Sequence, residues 1–251
     1  MIVIRYFGGK YKKRKHYSEI INVVSKDKHF VSLFCGACGI EGEIKAKSKH
    51  INDLSEYTYA LWKGLEQGRT LPNKCSEEDF NLAKCRYKLN KNNTTDYDKF
   101  ELAYIGFQCS FGGRLFTGYS RTNMDYAKAG IKSTMNTWKG LSEVPLTITN
   151  LDYRDVEIPD GSVVLCDPPY DIWYNGYETE KFDINAFWEY VRKLSKRCYV
   201  FVTEYKAPDD FISIWEDKVK ITTSQRVKTE NLEKVEKMFI YNNGLFQGHN
   251  N

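Results

Sequence analysis

The chain has 251 residues, 41% of them hydrophobic and 28% charged, enough for one sizeable core arranged as one domain with an insertion or as two small domains. Thirty-seven basic against 33 acidic side chains leave a formal charge of only +4, so bulk charge does not argue for an anionic partner and only its distribution can. Seven irregularly spaced cysteines exclude a disulfide framework, and no apolar run approaches the ~18 residues of a membrane span. With no signal peptide at the start, a soluble protein of the cytoplasm is expected.

Ile2, Val3 and Ile4 lead into Arg5-Tyr6-Phe7-Gly8-Gly9-Lys10, and a basic cluster from Lys12 to Lys15 follows that reads as a solvated face. The glycine pair lets the backbone approach a ligand closely or adopt positive φ. Ser18 to Val24 is expected to be helical, and Phe30-Val31-Ser32-Leu33-Phe34 to be a strand. That strand runs directly into Cys35-Gly36-Ala37-Cys38-Gly39, the pattern of a nucleotide loop in a βα unit. The loop is neither GxGxxG nor a Walker sequence, and a tight structural turn would read the same way. Cys35 and Cys38 lack a second pair at zinc spacing, so no metal site is expected. A second strand is expected to end at Asp53, an acid placed either to accept ribose hydroxyls or to cap the helix that follows. Both roles hold if Ser55 caps that helix and Asp53 faces the ligand.

From Tyr57 to about Gly140 the character changes. Ser76-Glu77-Glu78-Asp79 resembles a capping box opening a helix through Phe80, Ala83 and Tyr87, and a second helix uses Phe100, Ala103, Tyr104 and Phe107. The stretch from Ser110 to Arg121 interleaves glycines with aromatics and arginines, among them Arg114, Tyr119 and Arg121. Between 110 and 140 there are five basic residues and one acid, Asp125. Read as a flexible loop, this suits phosphate contact and base stacking.

After Pro145, Leu146 to Thr149 alternates like a strand and leads to Asp152. Phe182 to Ser195 is an amphipathic helix with Ile184, Phe187, Trp188, Val191 and Leu194 on its apolar face. Tyr199 to Thr203 is a buried strand. Pro208-Asp209-Asp210 is expected to open a helix through Phe211, Ile214 and Trp215. Ile221 to Arg226 and Met238 to Tyr241 are expected to be late strands of a hairpin, joined by a charged loop from Lys228 to Lys237.

The chain is organised around Val163-Val164-Leu165-Cys166-Asp167-Pro168-Pro169-Tyr170. A buried-strand run stops at two prolines, which cannot donate to a sheet ladder. One carboxylate and one ring are left at the carboxyl end of a strand, where open α/β sheets bind ligands.

Together these pieces resemble the Dam-type (D12 class) DNA N6-adenine methyltransferases, bacterial and bacteriophage. Tyr6-Phe7-Gly8-Gly9-Lys10 is similar to that family's N-terminal motif, whose aromatic and lysine contact S-adenosylmethionine. Phe34 to Gly39 resembles its cofactor loop, Asp53 the acid that binds the ribose, and Asp167-Pro168-Pro169-Tyr170 its catalytic tetrapeptide. The chain departs from the pattern at Ser32-Leu33, where the family usually has an acid and a proline, and at Cys38, which aligns with a glycine.

The resemblance implies an α/β, Rossmann-like methyltransferase fold, a mixed seven-stranded sheet with a helical target-recognition insertion. Residues 1–56 and 141–251 would form the catalytic domain and 57–140 the insertion. It implies S-adenosylmethionine as cofactor and double-stranded DNA as partner, and leaves a restriction partner and the target sequence undecided. Tyr6, Lys10, Phe34, Gly36, Ala37, Asp53, Asp152 and Asp167 are the expected cofactor contacts. Asp167, Pro168 and Tyr170 are the expected catalytic residues, with Arg114, Tyr119 and Arg121 on DNA.

The chemistry suits these residues. An exocyclic adenine amine is a poor nucleophile because its lone pair is delocalised into the ring. Acceptance of its hydrogens by Asp167 and the Pro168 carbonyl would concentrate that pair for direct displacement. The base must leave the duplex to be reached, and Tyr170 would stack on it. The alternatives are transfer to cytosine N4 or RNA adenine, or a module that binds without turnover.

Overall fold

The computed structural model describes residues 4–92, 96–169, 182–220 and 233–242. Short apolar runs bounded by turn residues form the strands: β1 (His29–Ser32), β2 (Ser48–Asn52), β3 (Leu146–Thr149), β4 (Val163–Cys166), β5 (Tyr199–Glu204), β6 (Phe211–Lys220) and β7 (Glu233–Tyr241). They make one seven-stranded sheet in the order β3-β2-β1-β4-β5-β7-β6. The first five in that order run parallel, while β7 is antiparallel to both β5 and β6, so the sheet is mixed as expected.

The central strands are buried on both faces, which is why they read as unbroken apolar runs. Along β4, Val163 and Leu165 join Phe30 and Phe201 on one face, over Tyr17 and Ile21 of α1 (Arg14–Ser25). Val164 and Cys166 join Val31, Val200 and Val202 on the other. There they meet Phe187, Val191 and Leu194 of α6 (Ile184–Leu194), which matches the amphipathic helix expected and is capped by Asp183.

Between β2 and β3 lie α2 (Glu56–Glu66), α3 (Glu77–Lys91), α4 (Lys99–Gln108) and α5 (Tyr126–Ser142). Ser55 caps α2, and Ser76 with Asp79 forms the expected capping box on α3. These helices share one apolar cluster with Ile51 of β2 and Ile148 of β3, so the insertion and the sheet are packed as one core.

Three expectations are corrected. The stretch from 126 onward is not loop but the 17-residue helix α5, capped by Asp125. Its buried positions are Ala127, Gly130, Ser133, Thr134, Thr137 and Leu141, with Tyr126, Ile131 and Trp138 packed against the same apolar cluster. Neighbours come close here: a Cβ on Gly130 would stand 2.4 Å from the Gln108 side chain, and one on Gly140 2.0 Å from the Gly42 carbonyl oxygen.

The segment from Phe211 is a strand, not a helix. A β-bulge between Ser213 and Trp215 changes the side-chain parity. Phe211 thus packs with α6 while Trp215 packs against Tyr17 on the opposite face, and the helix-like spacing of the two follows from the bulge. Finally, Glu233 to Lys237 belongs to β7 and not to a charged loop. Two of its charges are matched, Lys237 across the sheet with Glu216 at 3.3 Å and Glu236 with Lys10 of the N-terminal segment at 3.3 Å. The strand expected at Ile221 to Arg226 lies outside the described residues, and Met238 to Tyr241 falls within β7. Among the described residues, no helix is long and apolar enough to cross a membrane.

Candidate active site

The strand order reverses between β1 and β4: from β1 the chain moves outward through β2 and β3, and from β4 it moves the other way to β5. Loops leaving the carboxyl ends of these two neighbours must diverge, and a crevice opens between them. A cavity of about 630 Å³ lies there, within the range of small-molecule and cofactor sites. The Cys35 to Gly39 loop after β1 and Asp167-Pro168-Pro169 after β4 both line it.

The glycine loop is held by local bonds. Cys35 N–H donates to the Asn52 carbonyl (2.9 Å), and Cys38 N–H to that of Cys35 (2.7 Å). Gly36 has φ +46, and a Cβ on it would stand 3.0 Å from the Tyr6 ring, so both conformation and space require glycine. Cys38 also takes a left-handed φ of 49 and is fully buried. A left-handed non-glycine residue costs roughly 1–2 kcal/mol, which the loop's packing must offset. Asp53 accepts from Gly36 N–H (2.8 Å) with one carboxylate oxygen and from Ser55 N–H (2.9 Å) with the other. It therefore ties the loop to the start of α2 while lining the cavity, and burial raises its pKa to about 6.

The N-terminal segment closes one side. Gly9 N–H donates to the Tyr6 carbonyl (3.0 Å), and this turn brings Lys10 into the interior. Lys10 Nζ donates to both oxygens of Asp167 (2.8 and 2.9 Å) and to the Gly8 carbonyl (3.0 Å). The Thr203 hydroxyl adds a bond to Asp167 at 2.6 Å. Lys10 was expected on the cofactor; it does line the cavity, but its charge is spent on the carboxylate at the end of β4.

The opposite wall is aromatic. The Phe34 ring centroid is 5.4 Å from that of Tyr153 and 5.9 Å from those of Phe182 and Phe187. Asp152 lies on the rim, held by both its own turn and the Arg154 guanidinium (2.7 and 2.8 Å), which keeps its pKa below the usual carboxylate value. Tyr6, Gly36 and Ala37 complete the cofactor residues expected on the wall, and all of them are there. Tyr170 lies outside the described residues.

The three residues expected on DNA are separated. Arg114 stacks on the Phe7 ring, 3.8 Å from its centroid, beside the cavity. Tyr119 instead donates to the Cys75 carbonyl (3.0 Å) and packs on Phe80, and Arg121 pairs with Glu77 at the start of α3. Lys128, Lys132 and Lys139 form an exposed stripe on α5, a surface the loop reading concealed.

Sequence reasoning passed over three residues. Thr203 is placed by the sheet: Val202 is in register with Cys166, so the next residue of β5 stands level with Asp167. Glu236 gave no signal in the sequence, since it sits in a charged run. Glu41, just past the glycine loop, is almost wholly buried and lines the cavity.

A sheet with a switch-point cavity, a glycine loop on one strand end and Asp-Pro-Pro on the next defines an α/β enzyme of the Rossmann-like methyltransferase class. Family comparison makes this specific. The chain belongs to the D12 class N6 adenine-specific DNA methyltransferase family, whose model matches residues 6–239. It is an S-adenosylmethionine-dependent enzyme acting on adenine in DNA. No curated protein matches it by sequence.

Among solved structures it is similar to the rRNA methyltransferase aviRa from Streptomyces viridochromogenes, with TM-score 0.38, 11% identity, and 92% of this chain and 83% of that chain covered. It is also similar to the tRNA (m1A58) methyltransferase TrmI from Aquifex aeolicus, with TM-score 0.36, 11% identity, and 91% and 68% covered. Values this low say nothing about substrate.

Proposed function

We propose that this enzyme methylates N6 of an adenine turned out of double-stranded DNA at a specific sequence, by direct displacement. Residues 1–56 and 141–251 serve as the catalytic part and 57–140 as the target-recognition insertion. The observation that carries this reading is Asp167, fixed by Lys10 and Thr203 at the end of β4 and facing the cavity beside the glycine loop.

Lys10 Nζ at 2.8 Å and the Thr203 hydroxyl at 2.6 Å hold the Asp167 carboxylate in one place, as a hydrogen-bond acceptor aimed at a reacting amine must be held. Asp167 therefore accepts an amine hydrogen, with the Pro168 carbonyl as the second acceptor, and the nitrogen lone pair is directed away from the ring. Tyr170 follows in the motif and is assigned to stacking on the displaced base.

The cavity fits S-adenosylmethionine in size and in donor set. Phe34 offers an apolar wall, Asp53 a carboxylate for ribose hydroxyls, and Tyr6, Gly36, Ala37 and Asp152 further contacts. When bound, the cofactor supplies a methyl group already activated on sulfur, so no covalent enzyme intermediate is needed. Unstacking the target costs a few kcal/mol, which phosphate contacts from Arg114 and the exposed lysines of α5 offset. Among the described residues no cluster of His, Cys, Asp and Glu has the geometry of a metal site.

Labelled S-adenosylmethionine and duplex DNA lacking N6-methyladenine test the reading. Label recovered as N6-methyladenine is the expected outcome; label confined to cytosine or RNA, or cofactor binding without transfer, overturns it. Mapping methyladenine in DNA from a methylase-free host expressing the chain then reads out the target sequence and whether a restriction system shares it.

A further inference from the structure

Among the described residues five carboxylates line the cavity, and four of them have evident work to do. Asp167 is paired with Lys10, Asp152 with Arg154, Asp53 holds two backbone amides, and Asp183 caps α6. Glu41 is different. It is 3% exposed, and its oxygens accept from the Ser32 hydroxyl at 2.7 Å and from Ile40 N–H at 3.0 Å. Among the described residues no Lys, Arg or His nitrogen lies within ion-pairing distance of it.

A buried carboxylate without a countercharge is costly, and the cost falls when a cation arrives. Burial raises the pKa of Glu41 to about 7, the signature of that missing countercharge. The cofactor assigned to this cavity carries two positive centres, an α-ammonium on its amino-acid arm and a sulfonium. Only the ammonium has N–H groups to donate to a carboxylate. Glu41 reaches the end of β1 from the far side of the glycine loop, where the Ser32 hydroxyl fixes its carboxylate at the cavity wall.

We propose that Glu41 binds the α-ammonium group of the cofactor's amino-acid arm. This rests on the reading of the cavity as the S-adenosylmethionine site. Asp167 is less suited because Lys10 already offsets its charge, and Asp53 because two amides already occupy it, which suits neutral hydroxyls better than a cation.

Calorimetric titration of the full chain with S-adenosylhomocysteine, and with its deamino analogue in which hydrogen replaces the amine, tests this. Both ligands keep the nucleoside, the thioether and the carboxylate. Wild-type protein should bind S-adenosylhomocysteine at least about tenfold more tightly than the analogue, as expected for loss of a buried charged hydrogen bond. Glu41→Gln keeps the shape and can still bond Ser32 and Ile40; it should weaken S-adenosylhomocysteine by a similar factor and change the analogue by less than about twofold.

Equal wild-type affinities for the two ligands, or unchanged S-adenosylhomocysteine binding in Glu41→Gln, would overturn the role of Glu41 and leave the cofactor site standing. Absence of any S-adenosylhomocysteine binding by wild-type protein would overturn both.

Discussion

The cavity at the switch point and the surface of the insertion use charge in opposite ways. At the cavity wall, Lys10 and Asp167 are backed by Thr203 and Glu236 in a buried network in which Lys10 bridges the two acids. On the insertion, Arg121 pairs with Glu77 in open solvent, and the lysines of α5 stand exposed. A buried network holds one geometry and is costly to break; a surface pair is screened and exchanges its partner readily. Methyl transfer needs the first kind of arrangement and a mobile polyanion the second.

The segment from Arg5 to Phe7 joins the two regions. Arg5 N–H donates to the Gln108 side chain of α4 (2.9 Å), and Phe7 N–H to the Gly113 carbonyl (3.1 Å), just before Lys10 enters the cavity.

Several substitutions would break or sharpen this contrast. Asp167→Ala should lower methyl transfer by about 10³-fold or more, the scale of losing a group aimed at the reacting centre, with S-adenosylhomocysteine binding largely kept. Near-wild-type turnover in a radiolabel assay would refute its role. Lys10→Met should lower kcat by about 10²-fold with a smaller change in cofactor affinity, because its ammonium is on Asp167. A loss seen only in cofactor affinity would return Lys10 to the cofactor.

Gly140→Ala should destabilise the protein by about 1–3 kcal/mol in denaturant unfolding, since its Cβ would press on backbone at Gly42. Unchanged stability would show that α5 is not packed as described. Arg114→Ala should weaken DNA binding several-fold and reduce the salt slope by about one unit, while Arg121→Ala, whose partner is Glu77, should do less. Equal effects would erase the distinction between the two arginines.

A pH experiment probes the cavity without any ligand. Folded Glu41 and Asp53 hold their protons to about pH 7 and about pH 6, against ordinary values of 4.5 and 3.8. Between those values the folded state binds more protons than the unfolded state, so the stability they contribute falls as pH rises. Relative to a Glu41→Gln, Asp53→Asn double variant, the ligand-free wild type should therefore lose stability from about pH 5 to about pH 8 in denaturant titrations. A difference that stays flat, or rises, would mean the two carboxylates are not buried as described.

Motifs made of consecutive residues were legible: Asp167-Pro168-Pro169, the Phe34 to Gly39 loop and the capping box at Ser76 are local, and their chemistry is carried by neighbours in the chain. The strands β1, β4 and β5 were legible for the same reason, as apolar runs cut off by turn residues, while β3 showed by its alternation and β2 by the acid at its end. The helix α5 was not, because glycine, serine and threonine at close approach interrupt the apolar stripe of Ala127, Ile131, Trp138 and Leu141. Nor was β6, whose bulge mimics a helical spacing.

The sequence by itself determined the fold class and set the glycine loop and Asp167 at strand ends. Tertiary structure alone decided what surrounds that acid. Lys10 reaches it across 157 positions of sequence and Thr203 across 36, and Glu236 joins through Lys10 from the last strand. Glu41 is nine residues from Ser32, and only the fold shows that it is buried, with no countercharge among the described residues, and faces the cavity. Side-chain pairing and burial depend on which strand ends lie side by side, and strand order is a property of the sheet that no local pattern encodes.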